Sequence, residues 1–270
     1  MVEKRSLIAV VMLAGWVSFA HGEAITAETI VQRCDLDTYA GEDNRSKLTV
    51  ILRDATGNEK KNVYRRYWKN YAGKKGNVFD KMVLVTEFPL DAKDTGFMRW
   101  AYKPETGKNV DQWLYLPSLK KIRRVSVRDP ADRFLGSDLS YWDISLRLVN
   151  QDDHRLIDEK TQGGKTHYVV ESRPREKKPL YSKLIAHYEK NGDWADCNKS
   201  KIEYFDANGA LLKVQTLTWQ KVSDAWLWDV VEVNNRKTGH SSIFKVSEVV
   251  INVGLKDRLF TERMLKKGVK

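Results

Sequence analysis

From Leu48 onward the chain repeats one pattern. Short stretches alternate in side-chain character and are separated by clusters of Gly, Asn, Asp and Pro. Leu48, Val50 and Leu52 alternate with Thr49, Ile51 and Arg53, and Met98, Trp100 and Tyr102 alternate with Phe97, Arg99, Ala101 and Lys103. Successive side chains of a strand point to opposite faces, so a period of two marks strands with two unlike faces. The same reading covers 61–71, 82–88, 112–116, 122–127, 166–171, 181–189, 202–205, 211–219, 226–233 and 242–253. Connectors such as Asp206-Ala207-Asn208-Gly209 and Val222-Ser223-Asp224-Ala225 have hairpin length. Their Gly and Asn supply the positive φ that tight turns need. Strands joined this way predict one antiparallel sheet, strongly curved.

Three segments break the period. Ala27 to Cys34 reads as a short amphipathic helix, with Thr26 as its N-cap and Glu28 at the positive end of its dipole. After the turn Asp129-Pro130-Ala131-Asp132, the stretch Phe134 to Leu148 reads as loop then helix, and Ser140 with Asp143 gives a capping signal. Phe260 to Leu265 reads as a short loop or helical turn. The expected class is mainly β with two or three short helices. No internal repeat or shift in composition divides residues 23–270, so they are expected to form a single domain.

Residues 1–22 stand apart. Lys4 and Arg5 precede the apolar run Leu7 to Val17, and the small residues Ser18, Ala20 and Gly22 follow. This is the layout of a secretory signal peptide, and the run is too short for a bilayer, which needs about 20 apolar residues. Export to the periplasm, in soluble form, is the expectation. Cys34 lacks the small residues that precede a lipidated cysteine. The net charge of +11 would suggest nucleic acid in a cytosolic protein. For an exported chain no nucleic-acid partner is expected; most of the Lys and Arg sit at alternate positions of the predicted strands and are expected to face water, with transient contact at an anionic membrane surface as the other reading.

Catalytic patterns are missing from the sequence. There is no HExxH, GxSxG, Walker A or GxGxxG. Asp152-Asp153-His154 reads as a solvated polar turn rather than a metal site, and Asp138 with Asp143 as helix-capping carboxylates rather than an acid/base pair. No enzyme activity, cofactor or metal is expected. Cys34 and Cys197 are the two cysteines. In an oxidising compartment they either form one disulfide or stay as two buried small residues, and their spacing does not choose. The nine Trp and eleven Tyr stand out instead. A curved sheet has a concave face that something must fill, and two short helices leave room for a ligand.

The run TGFMRWAYK (95–103) followed by DQWLYLPSLKKIRRVSVRDPADRFLGSDLSYWDI (111–144) resembles the LolA-like outer-membrane lipoprotein-sorting protein family. YVVESRP (168–174), KIEYFDANGALLK (201–213), NNRKTGHSS (234–242) and LFTERMLKKG (259–268) extend the resemblance in order. It implies an unclosed antiparallel β half-barrel with a helical lid. It also implies a periplasmic carrier of lipid, or of lipoprotein acyl chains, toward the outer membrane, accompanied by an inner-membrane RND/MMPL-type transporter. Sheltering roughly a dozen methylenes at about 0.8 kcal/mol each amounts to about 10 kcal/mol, which demands a comparable apolar wall. Leu48, Val50, Leu52, Met98, Trp100, Tyr102, Trp113 and Tyr115 are the expected wall. Phe134, Leu135, Tyr141 and Trp142 are the expected lid or mouth, and Arg123 and Arg124 the expected contact for a head group or partner. The competing reading is a ligand-free adaptor that docks on an envelope transporter.

The signal peptide carries its own test. N-terminal sequencing of protein from its native periplasm should read a start close to Gly22 or Ala24; a mature chain beginning at Met1 would overturn the export reading.

Overall fold

The structure, a computed structural model, describes residues 24–108, 110–125 and 129–268. The proposed signal peptide lies outside them. Thirteen strands form one sheet: β1 (Asp43–Arg53), β2 (Glu59–Lys75), β3 (Val78–Phe88), β4 (Gly96–Tyr102), β5 (Asp111–Leu116), β6 (Lys121–Val125), β7 (Asp152–Gln162), β8 (Lys165–Pro174), β9 (Lys183–Asn191), β10 (Cys197–Phe205), β11 (Leu211–Val222), β12 (Ala225–Asn235) and β13 (Ser241–Ile251). Two short α-helices, α1 (Ala27–Val31) and α2 (Glu262–Lys267), flank it.

The strand order is β6-β5-β4-β3-β2-β1-β13-β12-β11-β10-β9-β8-β7. All pairings are antiparallel, and only the β1–β13 pairing joins strands that are not chain neighbours. β6 and β7 are consecutive in the chain yet stand at opposite edges. The sheet is therefore an up-and-down meander left open at one seam, not a closed barrel. The chain crosses from one edge to the other through residues 129–151, over one face of the sheet.

That face is concave. β4 and β10 lie seven strand spacings apart in the order, roughly 34 Å in a flat sheet at about 4.8 Å per strand. Yet Ser145 and Leu146 of the crossing segment line both a cavity walled by Asp80 and Arg99 and one walled by Ala186 and Ile202. Only a sheet bent around the segment permits that. The inner core then unites Leu48 and Val50, Met82 and Leu84, Phe97, Ile202 and Tyr204, Leu217, Val231 and Val233, and Phe244 with Phe134, Leu139 and Trp142 of the crossing segment.

The opposite face is apolar only in part. Phe260 and Leu265, near the C-terminus, pack on Tyr67, Val83, Val85, Met98 and Trp113. β3 is thus covered on both sides, which accounts for the unbroken run Met82-Val83-Leu84-Val85. Gly96 makes the approach possible, since a Cβ there would sit 2.7 Å from Leu265 Cδ1. A third cluster places Ile30, Val31 and Cys34 against Tyr168, Val170, Ala186 and Tyr188. Cys34 and Cys197 are joined as a disulfide, which ties this helix to the start of β10.

Several expectations need correction. Phe134–Leu148 holds no α-helix, so the lid is not helical. Phe134–Gly136 is one 3-10 turn with Leu135 at φ 53° and Gly136 at φ 74°, values that end a helix. The backbone bonds of this segment run within a tight hairpin-like loop: Phe134 N donates to Leu139 O, Tyr141 N to Asp132 O and Trp142 N to Pro130 O. Ser140 and Asp143 do bond reciprocally, Ser140 N to Asp143 Oδ2 and Asp143 N to Ser140 Oγ, but across a turn. α1 is capped by Thr26, whose Oγ1 accepts from Thr29 N, and continues as a π-turn over Gln32–Leu36. Asp152-Asp153-His154 opens a strand, β7, rather than sitting in a turn.

The disulfide closes 163 residues of chain, and a loop of that length constrains the unfolded state strongly. Replacing both cysteines, Cys34→Ser with Cys197→Ser, should lower stability by about 2–5 kcal/mol. Urea unfolding under non-reducing conditions measures this, and an unchanged midpoint would refute it.

Candidate functional site

The crossing segment is pegged to the sheet by polar bonds inside the apolar core. Asp138 accepts from Arg133 Nη2 at 2.6 Å and from Ser242 Oγ at 2.7 Å, while its own N–H donates to Ser242 Oγ at 2.9 Å. Lys213, from β11, donates to the carbonyl of Asp138 at 2.9 Å and ion-pairs with Asp143. Tyr181 OH donates to the other Asp143 oxygen at 2.9 Å. The side chains of Lys213 and Asp143 are 5% and 0% exposed. Burial, with the Asp143 carboxylate beside it, pushes the Tyr181 hydroxyl far up, so it remains a donor. Asp138 and Asp143, read from the sequence as helix-capping carboxylates, cap no α-helix here and instead anchor the crossing segment.

Cavities flank the segment. A mainly apolar one, about 290 Å³, lies between the segment and strands β1 to β4 and β11 to β13. Leu48, Met82, Phe134, Ile144, Phe244 and Val246 form its floor, and Trp68, Trp219, Trp226, Leu227 and Trp228 its rim. The indole N–H groups of Trp219 and Trp226 are bonded to the carbonyls of Lys199 and Ala195, so their rings are held in place. Asn44, Arg66, Asp80 and Arg99 make one polar corner. A second cavity of about 230 Å³, lined by Val31, Trp142, Leu146, Leu184 and Tyr204 among others, lies on the far side of the segment.

The expected wall residues divide between the two faces. Leu48 lines the large cavity. Val50 and Leu52 share its face but pack in the inner core, with Leu52 beside Gly136. Met98, Trp100, Trp113 and Tyr115 lie on the opposite face against Phe260 and Leu265. The Trp100 and Trp113 rings meet there at a 60° tilt with centroids 5.1 Å apart, and Lys81 Nζ sits 3.5 Å from the centroid of the Trp100 ring. Tyr102 donates to Asp111 at 2.6 Å near the end of β4. Phe134 and Trp142 are buried, and Leu135 and Tyr141 are half-buried against the same core; all four form an inner plug rather than a rim. Arg124 pairs with Asp111 and lies over Trp113, again on the outer side, and Arg123 is exposed on the edge strand β6.

A period of two tells which residues share a face, not which face is inside. The Arg99 position made its own face look solvated. Instead Arg99 donates twice from Nη2 to Asp80, at 2.8 and 3.0 Å, within the cavity wall. The tryptophans of the rim were the missed residues. Their signal was the hairpin Trp219 to Trp228, where Trp219 stands opposite Trp228 and Lys221 opposite Trp226.

Among the described residues no cluster of three or more His, Cys, Asp or Glu is placed to hold a metal. His154 is bonded to Ser172 Oγ and Val149 O, and Asp152 and Asp153 pair with Arg147 and Arg175. No helix among these residues is long and apolar enough to cross a membrane.

The open half-barrel resembles solved structures of outer-membrane lipoprotein-sorting and LolA-superfamily proteins. A domain from Vibrio parahaemolyticus, provisionally assigned to outer membrane lipoprotein sorting, matches with a TM-score of 0.74 and 26% identity, over 89% of this chain and 98% of its own. A DUF1329 family protein from Desulfovibrio piger matches with a TM-score of 0.73 and 25% identity, over 87% and 95%. A LolA superfamily protein from Nitrosomonas europaea shares the fold, with a TM-score of 0.62 and 17% identity over 89% and 100%. The model of a family described as an uncharacterized protein matches residues 79–267, and the chain belongs to that family. No curated protein matches the sequence.

The anchor makes a measurable demand. Lys213→Met leaves Asp143 buried without its cation and should cost about 3–5 kcal/mol in urea unfolding. Combining it with Asp143→Asn should cost less than the single change; an equal or larger loss would show that charge pairing is not what holds the segment.

Proposed function

We propose that the protein is a periplasmic carrier that shelters a hydrocarbon chain in the concave face of its half-barrel. The observation that carries this reading is the apolar cavity between the crossing segment and the tryptophan rim. Its volume, about 290 Å³, is at the lower end of small-molecule sites, roughly 300–1,000 Å³. That suits part of one acyl chain rather than a whole two-chain lipid. At about 0.8 kcal/mol per buried methylene, even a partly sheltered chain gains several kcal/mol over water. A larger cargo requires the crossing segment to move, and the Lys213–Asp143 anchor is where such movement begins. Likeness to a domain provisionally assigned to outer membrane lipoprotein sorting supports acylated protein or lipid as the cargo class. An inner-membrane RND/MMPL-type transporter as donor, delivery toward the outer membrane, and a single folded domain after a cleaved signal peptide belong to the same proposal.

A second reading has its own observation. Phe134, Leu139 and Trp142 already fill much of the inner face, as a ligand-free adaptor docking on an envelope transporter would need. The cavity beside them favours the carrier.

The two readings separate by binding. The native protein should bind a hydrophobic fluorescent dye and retain lipid in native mass spectrometry after purification from its own periplasm. Trp228→Asp should weaken dye binding at least about tenfold, since it places a charge in the apolar rim. Trp100→Ala, on the opposite face, should leave dye binding unchanged. No binding by the native protein, or equal loss in both variants, would favour the adaptor.

A further inference from the structure

The apolar cavity has one polar corner with an unbalanced charge. Its charged lining residues are Arg66 on β2, Asp80 on β3 and Arg99 on β4, two cations facing one anion. Asp80 and Arg99 are 6% and 8% exposed and are committed to each other through Arg99 Nη2. Arg99 Nε is buried and bonded to nothing. Arg66 has its Nη1 bonded at 2.6 Å to the neutral Asn44 side chain, with no carboxylate of its own. Burial and the repulsion of Arg99, opposed by Asp80, pull the Arg66 guanidinium down to about 10, so it stays charged at neutral pH. A half-buried cation without a counter-ion is costly, as is a buried N–H without an acceptor. A pocket that holds both beside an apolar wall is short of one oxyanion.

We propose that the Arg66–Arg99 corner receives the oxyanion head of an amphiphile, a carboxylate or phosphate, while its hydrocarbon chain lies along Trp68, Trp219 and Trp228. Guanidinium groups suit this role because their planar fork matches both head groups. The inference rests on the carrier reading and sharpens it: the cargo is anionic and enters with its head toward β2–β4. Asp80 sets the stoichiometry. It neutralises one arginine and leaves one positive charge, so a singly charged head completes the corner.

The test uses the full mature chain and three probes below micelle-forming concentration: dodecanoate, dodecanol, and acetate or inorganic phosphate. Quenching of the rim tryptophans reports binding. Dodecanoate should bind about tenfold to a hundredfold more tightly than dodecanol, the range expected for a desolvated charge-assisted contact. Arg66→Gln should bring dodecanoate to the level of dodecanol and leave dodecanol unchanged, with circular dichroism confirming the fold. Arg66→Lys should restore most of the preference. Equal affinity for the two amphiphiles in the native protein, or a preference that survives Arg66→Gln, would overturn the inference and leave the carrier reading standing. Binding of neither amphiphile would overturn both. Tight binding of acetate or phosphate alone, with no gain from the chain, would assign the corner to a free anion and overturn the amphiphile.

Discussion

A sheet that curls but does not close has two needs at once: its inner apolar face must be covered, and its two edges must be joined. Here one piece of chain meets both. The connection from β6 to β7 has to cross between the edges because those strands are neighbours in sequence and extremes in the sheet. Crossing over the concave side, it covers the inner face on the way. The crossing stays in place because Lys213 reaches from β11 into the apolar interior, where it meets the Asp138 carbonyl and the Asp143 carboxylate. Apolar contacts of Phe134, Leu139 and Trp142 supply bulk attraction without direction. The buried ion pair supplies direction, since each charge is tolerable in the interior only where the other is.

The two faces of the sheet answer the same burial problem differently. On the convex side Phe260 and Leu265 cover Val83, Val85 and Met98 closely, and Gly96 removes the one side chain that would hold them off. On the concave side the covering segment is narrower than the hollow, and space remains on both of its flanks. The aromatic rings collect around that space. Trp68, Trp219, Trp226 and Trp228 present large rigid surfaces at low entropic cost, a property that on the carrier reading suits a guest of variable shape.

What the sequence made legible was local. Alternation and turn chemistry reach only a few residues, and they located most strands and the hairpins, such as Asp206 accepting from Asn208 N and Ala210 N. β7 escaped because it is an edge strand with charged residues on both faces, Asp158, Glu159 and Lys160 among them, so no alternation marks it. The crossing segment escaped because its partners are distant: Asp138 and Ser242 are 104 residues apart. Its Ser140–Asp143 pair imitates a helix start, and only the tertiary bonds reveal a loop. The inward face was misjudged for the same reason. Arg99 looks like a surface residue until Asp80, nineteen positions earlier, is placed beside it.

The anchor and the hollow together define an exchange. On the carrier reading, removing the plug exposes Phe134, Leu139 and Trp142 and separates a buried ion pair, a loss of several kcal/mol. A cargo that buries roughly a dozen methylenes returns about 10 kcal/mol before the cost of ordering its chain. The opposing quantities are similar in size, so neither the plugged nor the loaded form is out of reach of the other. A protein filled only by apolar contact would lack a definite point of release, and an empty one would bind its cargo too firmly to pass it on. On the carrier reading, polar pegs in an apolar hollow would set the balance between these, because a partner competing for Lys213 or Asp143 would shift it without touching the hydrocarbon at all.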